Sequence, residues 1–396
     1  MQFIILLGTG PWQRSLFELL KYNKFKICTI SPVSAFTDSD LHIYKDVRDV
    51  SGIMAEIEIN GIEPMLFISS QTDLAVNSIA QLNHNYNLNL SNILVAKVFT
   101  NKYLMRNLVA NLDVSLKNPI YQKVTCASDI DSMLDSHPSL SEDIIIKPTS
   151  LQSSLGVRHI KYLRDFDFNA YRSEMSNYSV HEFIIEKNIK GIEYTLEGYK
   201  KKNGSHELLA VSRKDKKFGF GVANALHYSP DAFNECVRLK SSLNKLFFDY
   251  GFGPTHTEVI KTVEGDFYLV EAAIRGGGSG IPSEIVPSLT GFYPEHQQLN
   301  DAGVACELHT VVARHEYVSL VFYEFTTGVA LPIEHSELDD NLVRKWSNFK
   351  DGEMVGPILD DRSRHGFLII GSRSEASIKE VLARLSNLNQ KVKFHA

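Results

Sequence analysis

Residues 255–261 and 267–271 each alternate between two kinds of side chain, and only Thr262-Val263-Glu264-Gly265-Asp266 separates them. Period-two alternation broken by a glycine after an acidic residue leaves little choice but a β-hairpin. His256, Glu258 and Ile260 then share one face, and Phe267, Leu269 and Glu271 share one face of the return strand. With Glu264-Gly265 as a two-residue turn, Val263 opposes Asp266. Stepping outward sets residue 262 against 267, 260 against 269, and Glu258 against Glu271. Two carboxylates directly opposite repel, so protonation, solvent or a cation must separate them. Oxygen-only donors from few residues suit magnesium, which keeps water and phosphate oxygens in its other positions. The alternative is a pair of glutamates on an exposed sheet face, and a one-residue slip would send them to opposite faces.

The residues after Glu271 add to this pattern. Arg275 can hold a phosphate bidentately, and Gly276, Gly277, Gly278, Ser279 and Gly280 let backbone amides approach an anion; a simple loop is the alternative. Upstream, Lys102 and Arg106 lie four apart on a helix over residues 100–114, which by itself reads as a solvated face. Ile144, Ile145 and Ile146 form a buried strand ending in Lys147-Pro148, followed by a polar segment, 149–156, and a return strand at 157–160. Further strands are expected at 179–185, 193–199 and 208–213, and a helix at 232–250.

The N-terminal region has its own organisation. An apolar strand at residues 2–7 breaks at Gly8-Thr9-Gly10; then Trp12, Leu16, Leu19 and Leu20 recur at helical spacing, and strands and helices follow at 25–30, 46–60, 64–69 and 73–82. That is a small doubly wound domain. The glycine loop, followed by Pro11, is an incomplete dinucleotide fingerprint and reads as a structural turn. Beyond residue 300, strands at 311–316, 317–325 and 366–371 and a helix at 376–386 suggest an α+β extension. At 396 residues, 43% apolar and 22% charged, the chain is long enough for two or three cores. Its net charge of -6 is spread without blocks, so nothing in it attracts nucleic acid or an anionic membrane. No apolar run approaches the roughly 20 residues of a membrane helix, and the first strand lacks a basic leader. Cys28, Cys126, Cys236 and Cys306 lie far apart without metal or disulfide spacing, which fits core residues in a reduced cytoplasm.

In order and spacing, Lys102, Lys147-Pro148, residues 181–184, Glu193-Tyr194-Thr195, Glu258 and residues 271–278 resemble the ATP-grasp superfamily. The similarity runs through most of residues 1–300 and looks closest to the branch of carbamoyl-phosphate synthase halves, biotin carboxylase and bacterial L-amino-acid ligases. The resemblance implies ATP and Mg2+, with Mn2+ as a substitute. It assigns the ATP phosphates to Lys102 and Lys147, with Ser153 and Ser154 in a covering loop. It gives the adenine edge to the backbone of Glu182 and Ile184, the ribose to Glu193, and a further phosphate contact to Lys214, with Lys216 and Lys217 competing for that place. Glu258 and Glu271 become the metal ligands. Arg275, Gly277, Gly278 and Ser279 would hold an acyl phosphate and its tetrahedral successor, and His227 resembles a substrate-side residue, with a core or surface histidine as the alternative. Two departures stand out: the covering loop has one glycine, Gly156, and Ala273 stands where the family often has an asparagine ligand.

The expected fold is therefore α/β and α+β: a Rossmann-like domain over 1–97, an ATP-grasp domain over 98–300 and a C-terminal α+β subdomain over 301–396. The implied reaction joins a small-molecule carboxylate to an amine through an acyl phosphate, giving ADP and phosphate. A nucleotide-binding homologue with weak or no turnover is the alternative, and a nicotinamide oxidoreductase read from Gly8-Thr9-Gly10 a remote third. No nucleic-acid or membrane partner is expected, and a homodimer is left open.

Overall fold

The structure is a computed structural model that describes residues 2–33, 36–88, 92–216, 222–307, 312–323, 327–330, 340–350 and 352–391. Strands β1 (Gln2–Leu7), β2 (Ile27–Ile30), β3 (Leu41–Ile43) and β4 (Glu63–Ile68) form a parallel sheet in the order β3-β2-β1-β4. Successive β1 side chains point to opposite faces: Ile4 and Leu6 pack into one core, Ile5 and Leu7 into another, as a sheet covered on both sides requires. Periodicity does not reveal β3, because Leu41-His42-Ile43 is too short to show one. The Gly8-Thr9-Gly10 loop is tied down locally. Thr9 Oγ1 donates to the Val33 carbonyl at 2.8 Å, and Ser70 N donates to Gln13 Oε1 at 2.7 Å.

After β5 (Leu116–Lys117) comes an antiparallel sheet of β6 (Tyr121–Val124), β7 (Glu142–Pro148), β8 (Arg158–Tyr162) and β9 (Phe183–Lys187), in the order β6-β9-β7-β8. Its core gathers Ile144, Ile146, Phe183 and Ile185 against helices Ala127–Ser136 and Phe168–Ser176. The strand expected at 179–185 begins only at Phe183, since Ser179 sits at φ 58°, a conformation that ends a strand.

The remaining strands are β10 (Ile192–Lys200), β11 (His206–Asp215), β12 (Ala225–Tyr228), β13 (Gly253–Lys261), β14 (Phe267–Ala273), β15 (Tyr317–Phe322), β16 (Gly328–Val329), β17 (Leu342–Ser347), β18 (Met354–Val355) and β19 (Gly366–Ser372). Among the described residues, nine strands make one sheet in the order β17-β19-β15-β12-β11-β10-β13-β14-β5, and β16 pairs with β18. Because β12 pairs with β15, the C-terminal segment continues the central sheet across residue 300. Residue 311 and Lys217 lie outside the described residues, and residues 312–315 carry no strand. The helix expected at 232–250 is two, Pro230–Cys236 and Lys240–Leu246, joined by a 3-10 turn at Val237–Leu239. No helix among the described residues is long and apolar enough to cross a membrane.

Candidate functional site

Glu258 does lie opposite Glu271, but by a different route from the one expected. The turn takes one residue more: Lys261 pairs with Phe267, Ile260 with Tyr268 and Val259 with Leu269. Between Val259 and Glu258 the register then shifts, because β14 carries an extra residue there, Val270. That bulge restores the pairing of Glu258 with Glu271, Thr257 with Ala272 and His256 with Ala273. It also reverses the parity of β14. Phe267 and Leu269 face the core with Val259, so they do not share a face with Glu271 as an unbroken alternation requires. Arg106 Nη2 donates to the carbonyl of the extra residue Val270 at 2.9 Å.

Two cavities meet at this carboxylate pair. One, of about 430 Å³, carries Lys102, Lys147, Glu193 and residues 186–192, from the end of β9 to the start of β10, on its walls. The other, of about 480 Å³, carries Arg275, Ser279, His256 and an aromatic wall. Gln152, Ser154, Lys214, Glu258 and Glu271 line both.

The facing carboxylates are offset by lysines. Lys102 Nζ lies 3.1 Å from Glu271 Oε1 and donates to the Leu151 carbonyl at 2.6 Å. Lys214 Nζ bridges Glu258, at 2.6 Å, and Glu193, at 2.8 Å, and Lys216 also reaches Glu193. Burial disfavours the Lys214 charge, but its two carboxylates outweigh this and raise its pKa. Burial likewise pushes Glu258 up, and Lys214 and His256 more than reverse it, holding the carboxyl well below the usual range. His256 Nδ1 sits 2.8 Å from Glu197 Oε1; burial opposes its protonation and Glu197 favours it, with a net rise to about 9.

A second charge cluster, which the sequence reading lacks, backs the first cavity. Arg106 Nε and Lys147 Nζ each approach Glu186 at 2.7 Å, and all three side chains are buried. The Lys102/Arg106 helix face is thus interior and not solvated. Burial raises the Glu186 pKa, and Arg106 and Lys147 bring it down to about 2; burial also lowers Lys147 despite Glu186. A signal is present in the sequence: Glu186 follows the apolar run Phe183-Ile184-Ile185, where an acid needs a partner.

Three expected contacts are corrected. Ile184 is in the central strand β9, flanked by Lys123 of β6 and Lys147 of β7, and the Glu182 carbonyl accepts from Thr149 N at 3.1 Å. Neither lines the first cavity; residues 186–192 do. His227 points away from both cavities, because its neighbour Leu226 takes the inward position on β12; its ring meets Ser319 Oγ at 2.9 Å and Asp215 at 3.3 Å. Gly277 lines neither cavity. It packs against His256 so closely that a Cβ would lie 2.9 Å from Nδ1. Gly278 and Ser279 do face the second cavity.

Arg275 also lines the second cavity, with its fork held by Asp73: Nε at 2.7 Å and Nη2 at 2.5 Å, while Nη1 donates to the Gly276 carbonyl at 2.8 Å. Ser153 and Ser154 occupy left-handed backbone at φ 59° and 60°, and Ser154 Oγ donates to Asp361 at 3.1 Å. Among the described residues no group of three or more His, Cys, Asp and Glu could hold a metal. Two in-register carboxylates with phosphate-sized space beside them still fit magnesium, whose remaining positions go to water and phosphate. Ala273 lines the cavity next to them without a donor atom.

A family model for the ATP-grasp domain matches residues 140–283. Phosphoribosylamine–glycine ligases of Methanococcus maripaludis are 33% (strain C7) and 26% (strain S2) identical over 215 residues, which are 50% of this chain and 46% of each relative. The chain thus spans about half the length of these curated relatives. The L-amino acid ligase of Bacillus licheniformis superposes with a TM-score of 0.74 at 15% identity, covering 98% of this chain and 97% of that one. Phosphoribosylglycinamide synthetase of Anaerococcus prevotii gives 0.70 at 16% identity, covering 98% of each. For biotin carboxylase of Campylobacter jejuni the values are 0.66 and 14%, covering 95% of this chain and 89% of that one. Residues 140–283 thus match an ATP-grasp domain, and the chain as a whole shares the fold of these solved structures.

Proposed function

We propose that this chain is an ATP-dependent ligase that joins a carboxylate to an amine in a reduced cytoplasm. The observation that carries the reading is the carboxylate pair Glu258 and Glu271 at the junction of two cavities. One cavity is rich in lysines, and the other carries an arginine and glycine amides. The proposed division of labour gives residues 98–300 the nucleotide and the charged lining of the second cavity, while residues 1–97 and 301–396 add Trp12, Asp73, Trp346 and Phe367 to that cavity's walls.

In this reading ATP lies in the first cavity. Residues 186–191 run along the adenine, Glu193 takes the ribose hydroxyls, and Lys102, Lys147 and Lys214 neutralise the phosphates beneath Ser153 and Ser154. Magnesium, which Glu258 and Glu271 would hold, would supply divalent charge to offset the phosphates. The carboxylate oxygen of the substrate forms a bond to the γ-phosphorus as the bridging bond to ADP breaks. The amine nitrogen then bonds to the acyl carbon, phosphate leaves, and the amine loses a proton to solvent. No side-chain nucleophile is needed; positioning and charge do the work. Arg275, fixed by Asp73, and the Gly278–Ser279 segment face the second cavity, where the acyl phosphate would form.

The test is ADP release from magnesium-ATP with pooled small carboxylates and hydroxylamine, which traps acyl phosphates as hydroxamates. ADP, phosphate and hydroxamate are expected together. Release of AMP and pyrophosphate would overturn the mechanism. A second reading, a nucleotide-binding homologue without turnover, is favoured by the donorless Ala273; it predicts ATP binding with no ADP from any acid.

A further inference from the structure

The chain has two tryptophans, Trp12 and Trp346, far apart in sequence, and both line the second cavity. Trp12 follows β1 in the N-terminal sheet, while Trp346 lies on β17 at the edge of the central sheet. Their ring centroids are 4.8 Å apart, and Phe367 stacks 5.4 Å from Trp12. Phe322 meets Phe367 edge-on at 6.2 Å and carries the Arg364 guanidinium 3.5 Å from its ring centre. Both tryptophans are only partly buried, although clusters of this kind ordinarily gain by full burial. The lining of the cavity is thus of two kinds: Arg275, Ser279, Glu258 and Glu271 are polar or charged, and the tryptophans, Phe322 and Phe367 form an aromatic wall.

The two arginines beside that wall add no free charge. Arg362 pairs with Asp360, and Arg364 with Asp361, each at 2.6 Å. Arg275 is paired with Asp73 in the same way, so what sets this wall apart is its apolar rings, against which a phosphate dianion would be costly to desolvate.

From this we infer that the acid substrate is an amphiphile: its carboxylate lies at Arg275 and Ser279, and a large apolar or aromatic group packs against Trp12, Trp346 and Phe367. Glycine and sugar phosphates lack a group to fill the wall. The inference rests on the proposed ligase reading only for the direction in which the carboxylate points.

The test uses the full chain with magnesium-ATP and reads intrinsic tryptophan fluorescence, because both indoles line the site. L-Phenylalanine, 3-phenylpropanoate, glycine and ribose 5-phosphate are titrated in turn. A saturable change with either aromatic acid, at a concentration at least about tenfold below that for glycine or ribose 5-phosphate, is expected. Trp346→Ala should raise the aromatic acid's half-saturation at least about tenfold, Trp346→Phe should largely restore it, and ATP binding by calorimetry, unchanged in both, reports intact folding. Equal or tighter binding of glycine or ribose 5-phosphate, or no change with any ligand, would overturn the inference. Hydroxamate assays on the same acids separate the two ideas: hydroxamate from glycine alone defeats the aromatic pocket and leaves the ligase, whereas aromatic binding without hydroxamate defeats the ligase and leaves the pocket.

Discussion

Glu186 and the Glu258/Glu271 pair carry the same chemistry in opposite settings. Glu186 has 5% of its side chain exposed and is clamped between Arg106 and Lys147, whereas Glu258 and Glu271 keep 22% and 29% exposed, each beside a lysine. The first arrangement is nearly buried, with Glu186 and Lys147 reaching the wall of the first cavity. Each of its carboxylate oxygens is taken by a cation, and those cations cannot leave without stranding a buried charge. The second opens on two cavities, the access that the proposed metal role needs. Charge composition alone does not separate a structural acid from a binding one; access does.

The largest expected effect tests the buried cluster. Glu186→Leu leaves Arg106 and Lys147 buried without their shared counter-ion, and should cost about 3–5 kcal/mol of stability in urea unfolding; a loss under about 1 kcal/mol would mean that the triad is not holding the fold. Next comes the open pair. Glu258→Gln or Glu271→Gln should lower ADP formation by roughly 100-fold or more while the unfolding midpoint moves little, so that activity and stability separate in the opposite sense from Glu186.

Acid titration sharpens the contrast. Because the Glu186 pKa falls from 4.5 to about 2 in the folded chain, its contribution is fully present above 4.5 and is lost as pH drops through about 2. Stability should fall across that window in the native chain, and part of that slope should vanish in Glu186→Leu. Equal slopes would remove Glu186 from the account. The smallest effect is at Lys216, the more exposed of the two lysines on Glu193. Lys216→Ala should raise the KM for ATP by only about two- to fivefold, since Lys214 keeps Glu193 paired; a fall comparable to Glu258→Gln would make Lys216 the principal phosphate contact instead.

Much of the N-terminal sheet is legible because a continuous apolar run ending in glycine, followed by helical spacing, has few structural outcomes. The hairpin is legible in outcome and not in detail. A longer turn shifts the register by one, the extra Val270 shifts it back, and the two departures cancel at Glu258 and Glu271. Neither can be read from alternation, because a bulge is set by what the strand packs against, here the Val270 carbonyl reaching Arg106. The expected adenine segment is displaced for a related reason: sequence cannot tell that β9 is a central strand with neighbours on both sides.

By itself the sequence determined which local pieces could form, and which of them carried lysines, facing glutamates and a glycine run, because side-chain period and turn chemistry act over a few residues. Tertiary structure alone decided that Lys102 answers Glu271, that Asp73 from the N-terminal region grips Arg275, and that Trp12 meets Trp346 across most of the chain. Those contacts join segments far apart in sequence, and what selects them is the packing of whole sheets and the need to pair every buried charge.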